Sequence, residues 1–145
     1  MKTILDNRIL VASFIAWAIA QLSKTIYDVF RSRKLRLSRL VSAGGMPSSH
    51  SALVMSLATA TGRVAGVDSA AFAISLVLAA IVMYDAAGVR RAVSIQARLL
   101  NQMIDEAFQG KPFAEQRLRE LIGHTPTQVI VGALLGVGVG FILTG

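Results

Sequence analysis

Two histidines, His50 and His124, are the residues of this chain best suited to acid–base or nucleophilic chemistry, because an imidazole can exchange protons or accept a phosphoryl group near neutral pH. His50 lies in the sequence GGMPSSHSALV of residues 44–54, and His124 lies in the sequence GHTPTQVIVG of residues 123–132. Each one stands at the start of an apolar stretch of helical character. This placement predicts phosphoryl-transfer chemistry at a membrane face.

The composition is that of a membrane protein. Of 145 residues, 54% are hydrophobic and only 16% are charged, which excludes an ordinary soluble domain. Four apolar stretches of roughly 16 to 22 residues could cross a bilayer, at residues 9–30, 52–67, 69–89 and 127–143. The second is short and contains Arg63, so a tilted, partly embedded or tightly packed helix is the alternative there. We therefore predict one all-α domain over residues 1–145, a polytopic bundle of about four transmembrane helices plus a cytoplasmic amphipathic helical segment.

The basic residues indicate orientation. The net charge is +7, and most of the fifteen Lys and Arg residues lie in two connections, at residues 31–39 and 90–119. Both connections fall on the same side of a four-helix topology, which the positive-inside rule identifies as cytoplasmic, with both termini outside. This distribution argues against a nucleic-acid partner and favours the plasma or inner membrane of the cell, with a possible attraction for anionic lipid. The chain has no cysteine, which excludes disulfides and thiolate metal sites.

Local signals predict how the connections are built. The glycine pair at residues 44–45 allows a tight turn, and Pro47 followed by Ser48 is a typical helix start. Residues 92–108 have apolar side chains at helical spacing beside polar ones, which predicts an amphipathic helix. Residues 113–122 form another predicted short helix.

A four-helix topology brings the chemically active residues to one membrane face. The first helix reaches the cytoplasm near Lys24 and Arg31, and the second leaves it from His50. The third helix returns at Asp85, and the fourth leaves from His124. The two histidines, the cations, the carboxylate and the Gly/Ser turn with its backbone N–H groups together predict a phosphate site.

These motifs resemble those of the type-2 phosphatidic acid phosphatase and vanadium haloperoxidase superfamily, specifically its short, divergent bacterial and plastid branch of integral membrane proteins. The superfamily's first motif is Lys, six residues, then Arg-Pro, and residues 24–31, KTIYDVFR, are similar, with Ser32 in place of the proline. Its second motif is Pro-Ser-Gly-His, and residues 47–50, PSSH, match it with Ser49 in place of the glycine. Residues 84–93, YDAAGVRRAV, also resemble the divergent branch.

The third superfamily motif is matched only at its end. That motif is Ser-Arg, five residues, His, three residues, Asp, and residues 124–132, HTPTQVIVG, are similar from the histidine onward. Gln128 stands where the orienting carboxylate belongs. The preceding Ser-Arg is absent, because Leu118 occupies the place of the arginine.

The resemblance implies a role for each matching residue. His124 would attack phosphorus and form a phosphohistidine. His50 would protonate the leaving group and then activate water for the second step. Lys24 and Arg31 would hold the phosphoryl oxygens, and further contacts would come from Ser48, Ser49 and the backbone N–H groups near Gly45.

The departures from the motifs need substitutes. Arg90 or Arg91 would replace the missing arginine of the third motif. Asp85 would replace the missing carboxylate by accepting a hydrogen bond from His124, and Gln128 is the alternative orienting group. Structural roles remain open as well, since Lys24 could snorkel from a helix end, Arg31 could serve only as a topogenic charge, and Asp85 could form an ion pair.

The resemblance implies an integral membrane phosphatase that hydrolyses a lipid phosphate or pyrophosphate by a metal-independent phosphohistidine route, without a cofactor. The active site would face the cytoplasm. The main alternative is a non-catalytic membrane protein that retains a pocket for phosphate or a lipid headgroup. A vanadate-dependent oxidation enzyme and a transporter are less favoured, since the chain lacks a large soluble scaffold or an inverted repeat.

A glycine stripe marks the last predicted helix. Gly132, Gly136 and Gly140 recur every four residues on one face, which in a lipid environment permits close approach of another helix. This stripe predicts either internal packing against the small residues of the second helix or a homodimer through the last helix.

Overall fold

The computed structural model of the chain describes residues 3–32, 45–107 and 125–145, and every regular element in these ranges is helical. A 3-10 turn at Ile4–Asp6 precedes five helices. These are α1 (Arg8–Ser32), α2 (Ser49–Ala65), α3 (Ala70–Ala87), α4 (Val89–Ala107) and α5 (Pro126–Leu143). The predicted all-α class is confirmed.

The helices that follow the two histidine motifs begin where local capping signals place them. Ser48 is the N-cap of α2, and its Oγ accepts a hydrogen bond from the Ser51 N–H at 3.3 Å. Thr125 is the N-cap of α5, and Pro126 occupies the first helical position, where its missing N–H is no loss. A capping side chain satisfies a backbone donor that the first helical turn leaves open, so these residues fix the two helix starts.

Three helical segments are long and apolar enough to cross a membrane: Arg8–Tyr27, Ala70–Ala87 and Pro126–Leu143. Their outward surfaces carry large apolar side chains, such as Phe14, Ile81 and Ile142, which are more than half exposed. These surfaces suit contact with lipid tails, which are as apolar as leucine.

The second predicted span has a different place in the fold. Helix α2 has 17 residues, about 25 Å at 1.5 Å per residue, whereas a bilayer core is about 30 Å thick. It is the most enclosed helix of the described part and packs against α1, α3 and α5. Its buried residues are mostly small or hydroxylated, including Ser49, Ala52, Ser56 and Thr61. The alternative of a tightly packed helix therefore describes α2 better than an independent span does.

The glycine stripe lies inside the bundle. Each glycine is buried against the backbone of α2, and the facing pairs are Gly132 with Ser48, Gly136 with Ala52, and Gly140 with Ser56. Because both series ascend by four residues, α2 and α5 run parallel and in register. The stripe thus allows α5 to pack closely against α2 within the chain, and a homodimer through this helix stays a prediction.

Helix α4 contains the predicted amphipathic segment. Ala97 and Asn101 are buried, whereas Ile95, Leu99 and Met103 are exposed on another side of the helix. Among the described elements, α4 contacts α3. The predicted helix at 113–122 lies outside the described residues.

Candidate functional site

The starts of α2 and α5 lie side by side. The backbone N–H of Ser48, the cap of α2, donates a hydrogen bond to the carbonyl oxygen of Gln128 in the first turn of α5, at 3.0 Å. The first turn of a helix carries unsatisfied N–H groups and the positive end of the helix dipole. Two parallel helices that begin together therefore direct two positive dipole ends toward the same end of the bundle.

A buried cation from α1 lies at this end. The Lys24 side chain is only 7% exposed, and its Nζ donates hydrogen bonds to Gln21 Oε1 at 2.8 Å and to Ser49 Oγ at 3.1 Å. Ser49 is the first residue of α2. Both of these partners are neutral oxygens, so the ammonium group has hydrogen-bond acceptors but no neutralising charge from them. A negative charge beside a buried ammonium lowers the cost of its burial, so this position suits a bound anion.

Gly45 covers the aliphatic part of the Lys24 side chain. Its φ of +96° lies in the left-handed region, which glycine adopts without a steric penalty. A Cβ at this position would be 3.6 Å from Lys24 Cδ, which is ordinary contact. The glycine is therefore required by the backbone conformation of the turn, and the predicted turn at this position is confirmed for Gly45.

The two serines that precede His50 have distinct environments. Ser48 is fully buried, and its Oγ accepts hydrogen bonds from both the N–H and the Oγ of Ser51, the latter at 3.0 Å. Ser49 is 2% exposed and contacts the Lys24 ammonium. Ser48 thus stabilises the start of α2, while Ser49 joins that start to the cation on α1.

Gln128 has a structural role that explains its presence in the motif. Its Oε1 accepts a hydrogen bond from the Thr125 N–H at 3.1 Å, and Thr125 Oγ1 accepts one from the Gln128 N–H at 3.4 Å. This reciprocal pair is a capping box, for which Glu and Gln are the usual residues at the third helical position. The structure places Gln128 at the start of α5, and its proposed role in orienting His124 stays a prediction.

The late part of α1, the start of α2 and the end of α3 lie at one end of the bundle. Helix α1 runs antiparallel to α2, since Lys24 in its second half contacts the first residue of α2. Gly62 near the end of α2 faces Phe72 near the start of α3, so α3 runs back toward the end of the bundle that holds Ser48. The exposed carboxylate of Asp85 lies in the last turn of α3 and so returns to that end.

The remaining predicted residues are described only in part. His50 is the second residue of α2 and is half-buried. Arg31 lies in the last turn of α1, and Arg90 and Arg91 lie in the first turn of α4, but their side chains are outside the described part of the structure. His124 also lies outside the described residues.

One participant was missed at the level of sequence. Gln21 lies one helical turn before Lys24 and accepts its shorter hydrogen bond. The signal was available, because a buried amide three residues from a lysine in an apolar stretch faces the same side of the helix and needs a partner.

Comparisons with known proteins agree with the helical membrane fold. The sequence profile of the Divergent PAP2 family matches residues 5–139. A protein of Bacillus subtilis (strain 168), named Uncharacterized membrane protein YuiD, is 40% identical over 145 residues, which covers 92% of this chain and 92% of that protein. No solved structure matches the chain.

Proposed function

Since this chain belongs to the Divergent PAP2 family, we propose that it is an integral membrane phosphatase that hydrolyses a lipid phosphate or a lipid pyrophosphate. One observation carries the proposal. The buried Lys24 ammonium is hydrogen-bonded to Ser49 at the start of α2, next to the start of α5. A fixed cation and two helix N-termini at one place suit a phosphoryl group.

The reaction has two steps. His124 attacks the terminal phosphorus and forms a phosphohistidine, while the bond from this phosphorus to the oxygen of the leaving group breaks. The leaving group is the lipid alkoxide of a lipid phosphate or the lipid phosphate of a lipid pyrophosphate, and His50 donates a proton to its oxygen. His50 then takes a proton from water, which attacks the phosphohistidine and releases inorganic phosphate and free His124. Lys24 and Ser49 hold the phosphoryl oxygens and stabilise the charge that accumulates on them.

The positions of the two histidines along the chain support these roles. His50 directly follows Ser49, which holds the cation. His124 directly precedes Thr125, the cap of α5, and consecutive Cα atoms are about 3.8 Å apart. His50 therefore belongs to the first turn of α2, and His124 is the neighbour along the chain of the residue that caps α5.

A lipid substrate is supported by the surroundings of the site. The site lies at the end of a bundle with three helices apolar enough to span a membrane, which is the level of the lipid headgroups. Exposed apolar side chains on these helices can accommodate acyl or prenyl tails. The basic connections favour anionic lipids and a cytoplasmic site in the cell membrane.

The test is phosphate release by the purified protein in detergent, with phosphatidate, phosphatidylglycerophosphate and a polyprenyl pyrophosphate as substrates. We expect release by the native chain and by the Ser23→Ala control, whose exposed hydroxyl donates a hydrogen bond to the Ile19 carbonyl of its own helix. We expect none from His50→Ala or His124→Ala. Release that persists in His124→Ala would refute the phosphohistidine route, and loss of activity with a chelator would refute metal independence.

A second candidate is a non-catalytic protein that binds phosphate or a lipid headgroup. The observation that favours it is the capping box, in which Gln128 serves its own helix start where the motif would have an orienting carboxylate. This candidate predicts binding of a lipid phosphate without any release of inorganic phosphate. It also predicts that cells carrying His124→Ala keep the biological role of the protein.

A further inference from the structure

Gln21 lies beside Lys24 on one face of α1. It precedes Lys24 by three residues, and residues at this spacing are neighbours on a helix surface. Its side chain is only 6% exposed, and its Oε1 accepts a hydrogen bond from the Lys24 Nζ at 2.8 Å. The same Nζ donates to the Ser49 Oγ at 3.1 Å. The ammonium group is therefore held between an amide of its own helix and the first residue of α2.

The close approach of α1 to α2 brings both acceptors to one ammonium group. Ala20 of α1 and Ala52 of α2 are fully buried in one apolar cluster. The turn at Gly45 packs against the aliphatic part of the Lys24 side chain, since a Cβ at Gly45 would be 3.6 Å from Lys24 Cδ. The stem of Lys24 is thus covered, and the two hydrogen bonds set the position of its charged end.

The amide of Gln21 is a neutral acceptor. Gln21 and Lys24 both lie in the segment Arg8–Tyr27, which is apolar enough to cross a membrane, and charges interact more strongly in such surroundings than in water. A glutamate at position 21 would have the same length and could accept the same hydrogen bond, but its charge would compete with a phosphoryl group for the ammonium. A methionine would keep the length of the side chain and remove the acceptor. Glutamine therefore combines a fixed position for the cation with no added negative charge.

We infer that Gln21 is a positioning residue that holds the Lys24 ammonium against Ser49 in a form that can bind a phosphate group. The inference rests on the anion site of the proposed function, but anion binding can be measured without hydrolysis. It concerns the contacts among Gln21, Lys24 and Ser49 alone. Its consequence is that residue 21 controls the affinity of the site for phosphate although it need not touch the phosphate itself.

The first measurement is a titration of the purified protein with inorganic phosphate in detergent, followed by phosphorus NMR. We expect Gln21→Glu to raise the Kd about tenfold or more, because the loss of an interaction with a charged group has this size. We expect Gln21→Met to raise it about threefold to tenfold. Ser13→Ala is the matched control, since Ser13 is another buried polar residue of α1, and its Oγ donates to the Ile9 carbonyl at 2.7 Å. A native Kd in Gln21→Glu would overturn the inference.

Midpoints of thermal unfolding separate a role in binding from a role in packing. We expect Gln21→Glu to unfold near the native midpoint, because the new carboxylate and the ammonium form a pair that offsets the cost of burying the added charge. Its phosphate affinity should fall all the same. If Gln21 only supported the packing of α1, the affinity would follow the midpoint across Gln21→Glu, Gln21→Met and Ser13→Ala, and that result would overturn the inference. If Gln21→Met does not fold, Gln21→Glu decides.

A double-mutant cycle tests whether Gln21 acts through Lys24. We expect Gln21→Met to lower kcat/KM for phosphate release in the native chain, chiefly through a higher KM, and to have no further effect in the Lys24→Met background. Additive losses in the double variant would overturn the inference. So would an absence of phosphate binding by the native chain. Phosphate binding by the native chain without any release from a lipid phosphate would instead refute the proposed hydrolysis, and the titration would still decide the role of Gln21.

Discussion

The guanidinium of Arg63 lies over the ring of Phe141, with its Cζ 3.9 Å from the ring centroid. Arg63 is in the last turn of α2 and Phe141 is near the end of α5. These two helices are thus joined at both ends, by the Ser48 N–H and the Gln128 carbonyl at the site and by this cation–π contact at the opposite end. The second contact stabilises the pair without touching the site.

Replacement of Phe141 should lower stability and leave activity unchanged. An exposed cation–π contact contributes about 0.5–1 kcal/mol, and Phe141→Leu removes it. We expect a lower midpoint of thermal unfolding in detergent than for Phe14→Leu, which changes another exposed phenylalanine. Equal midpoints would contradict a stabilising contact, and a loss of phosphate release in Phe141→Leu alone would show that the far end of the pair affects the site.

Replacement of Lys24 should impair the reaction more than the fold. Lys24→Met keeps the length of the side chain but removes the charge, and a hydrogen bond to a charged group contributes about 1.5–3 kcal/mol. We expect kcat/KM for phosphate release to fall about tenfold to a hundredfold. The unfolding midpoint should stay the same or rise, because the variant no longer buries an ammonium group. A large loss of stability with unchanged kcat/KM would identify Lys24 as a structural residue only.

The orienting group for His124 can be identified with two variants. We expect Asp85→Asn to lower phosphate release at least about tenfold, because the amide is a poorer acceptor for an imidazole N–H that becomes charged during the reaction. We expect Gln128→Ala to act mainly on stability, with a loss of about 0.5–2 kcal/mol for the damaged helix cap. Full activity in Asp85→Asn together with none in Gln128→Ala would assign the orienting role to Gln128.

The middle of the glycine stripe should be the best place to measure packing. Gly136→Ala forces a methyl group against the Ala52 carbonyl oxygen, and overpacking of this kind costs about 1–3 kcal/mol. Gly138→Ala adds the same methyl group in open space and should be neutral or stabilising by up to about 1 kcal/mol, because alanine favours the helix. Unfolding in a denaturing detergent series compares the two. Equal stability of the two variants would mean that α5 can move away from α2 without a loss of stability.

A local signal in the sequence predicted the start of α2 well. The cap Ser48 after Pro47 acts on a donor three residues away, so a short stretch of sequence contains all the information. The cap Thr125 before Pro126 is a signal of the same kind at the start of α5, but the sequence analysis did not single it out. The apolar stretches likewise predicted α1, α3 and α5 as membrane helices, because length and composition decide that property.

The capping residues and the apolar stretches did not predict how the helices pack against one another. The repeat of Gly132, Gly136 and Gly140 predicted a close helix contact and favoured a partner within the chain, but the spacing alone did not exclude a second copy. The second apolar stretch gave an ambiguous span because it is short and contains Arg63. The structure shows that its serines are buried among other helices, where a hydroxylated face is acceptable. The choice of Ser49 as a partner for Lys24 depends on how α1 and α2 cross, which sequence spacing does not define.

The enclosed character of α2 has a consequence for how the protein is made. A segment this short, with serines along one side and Arg63 near its end, has little tendency to enter a bilayer alone. It is stable in the membrane only when α1 packs against one of its sides and the glycine face of α5 packs against another. Since α5 is synthesised after the other four helices, its start can pair with the start of α2 beside Lys24 only once α5 itself has been inserted, so the proposed anion site cannot assemble earlier in synthesis.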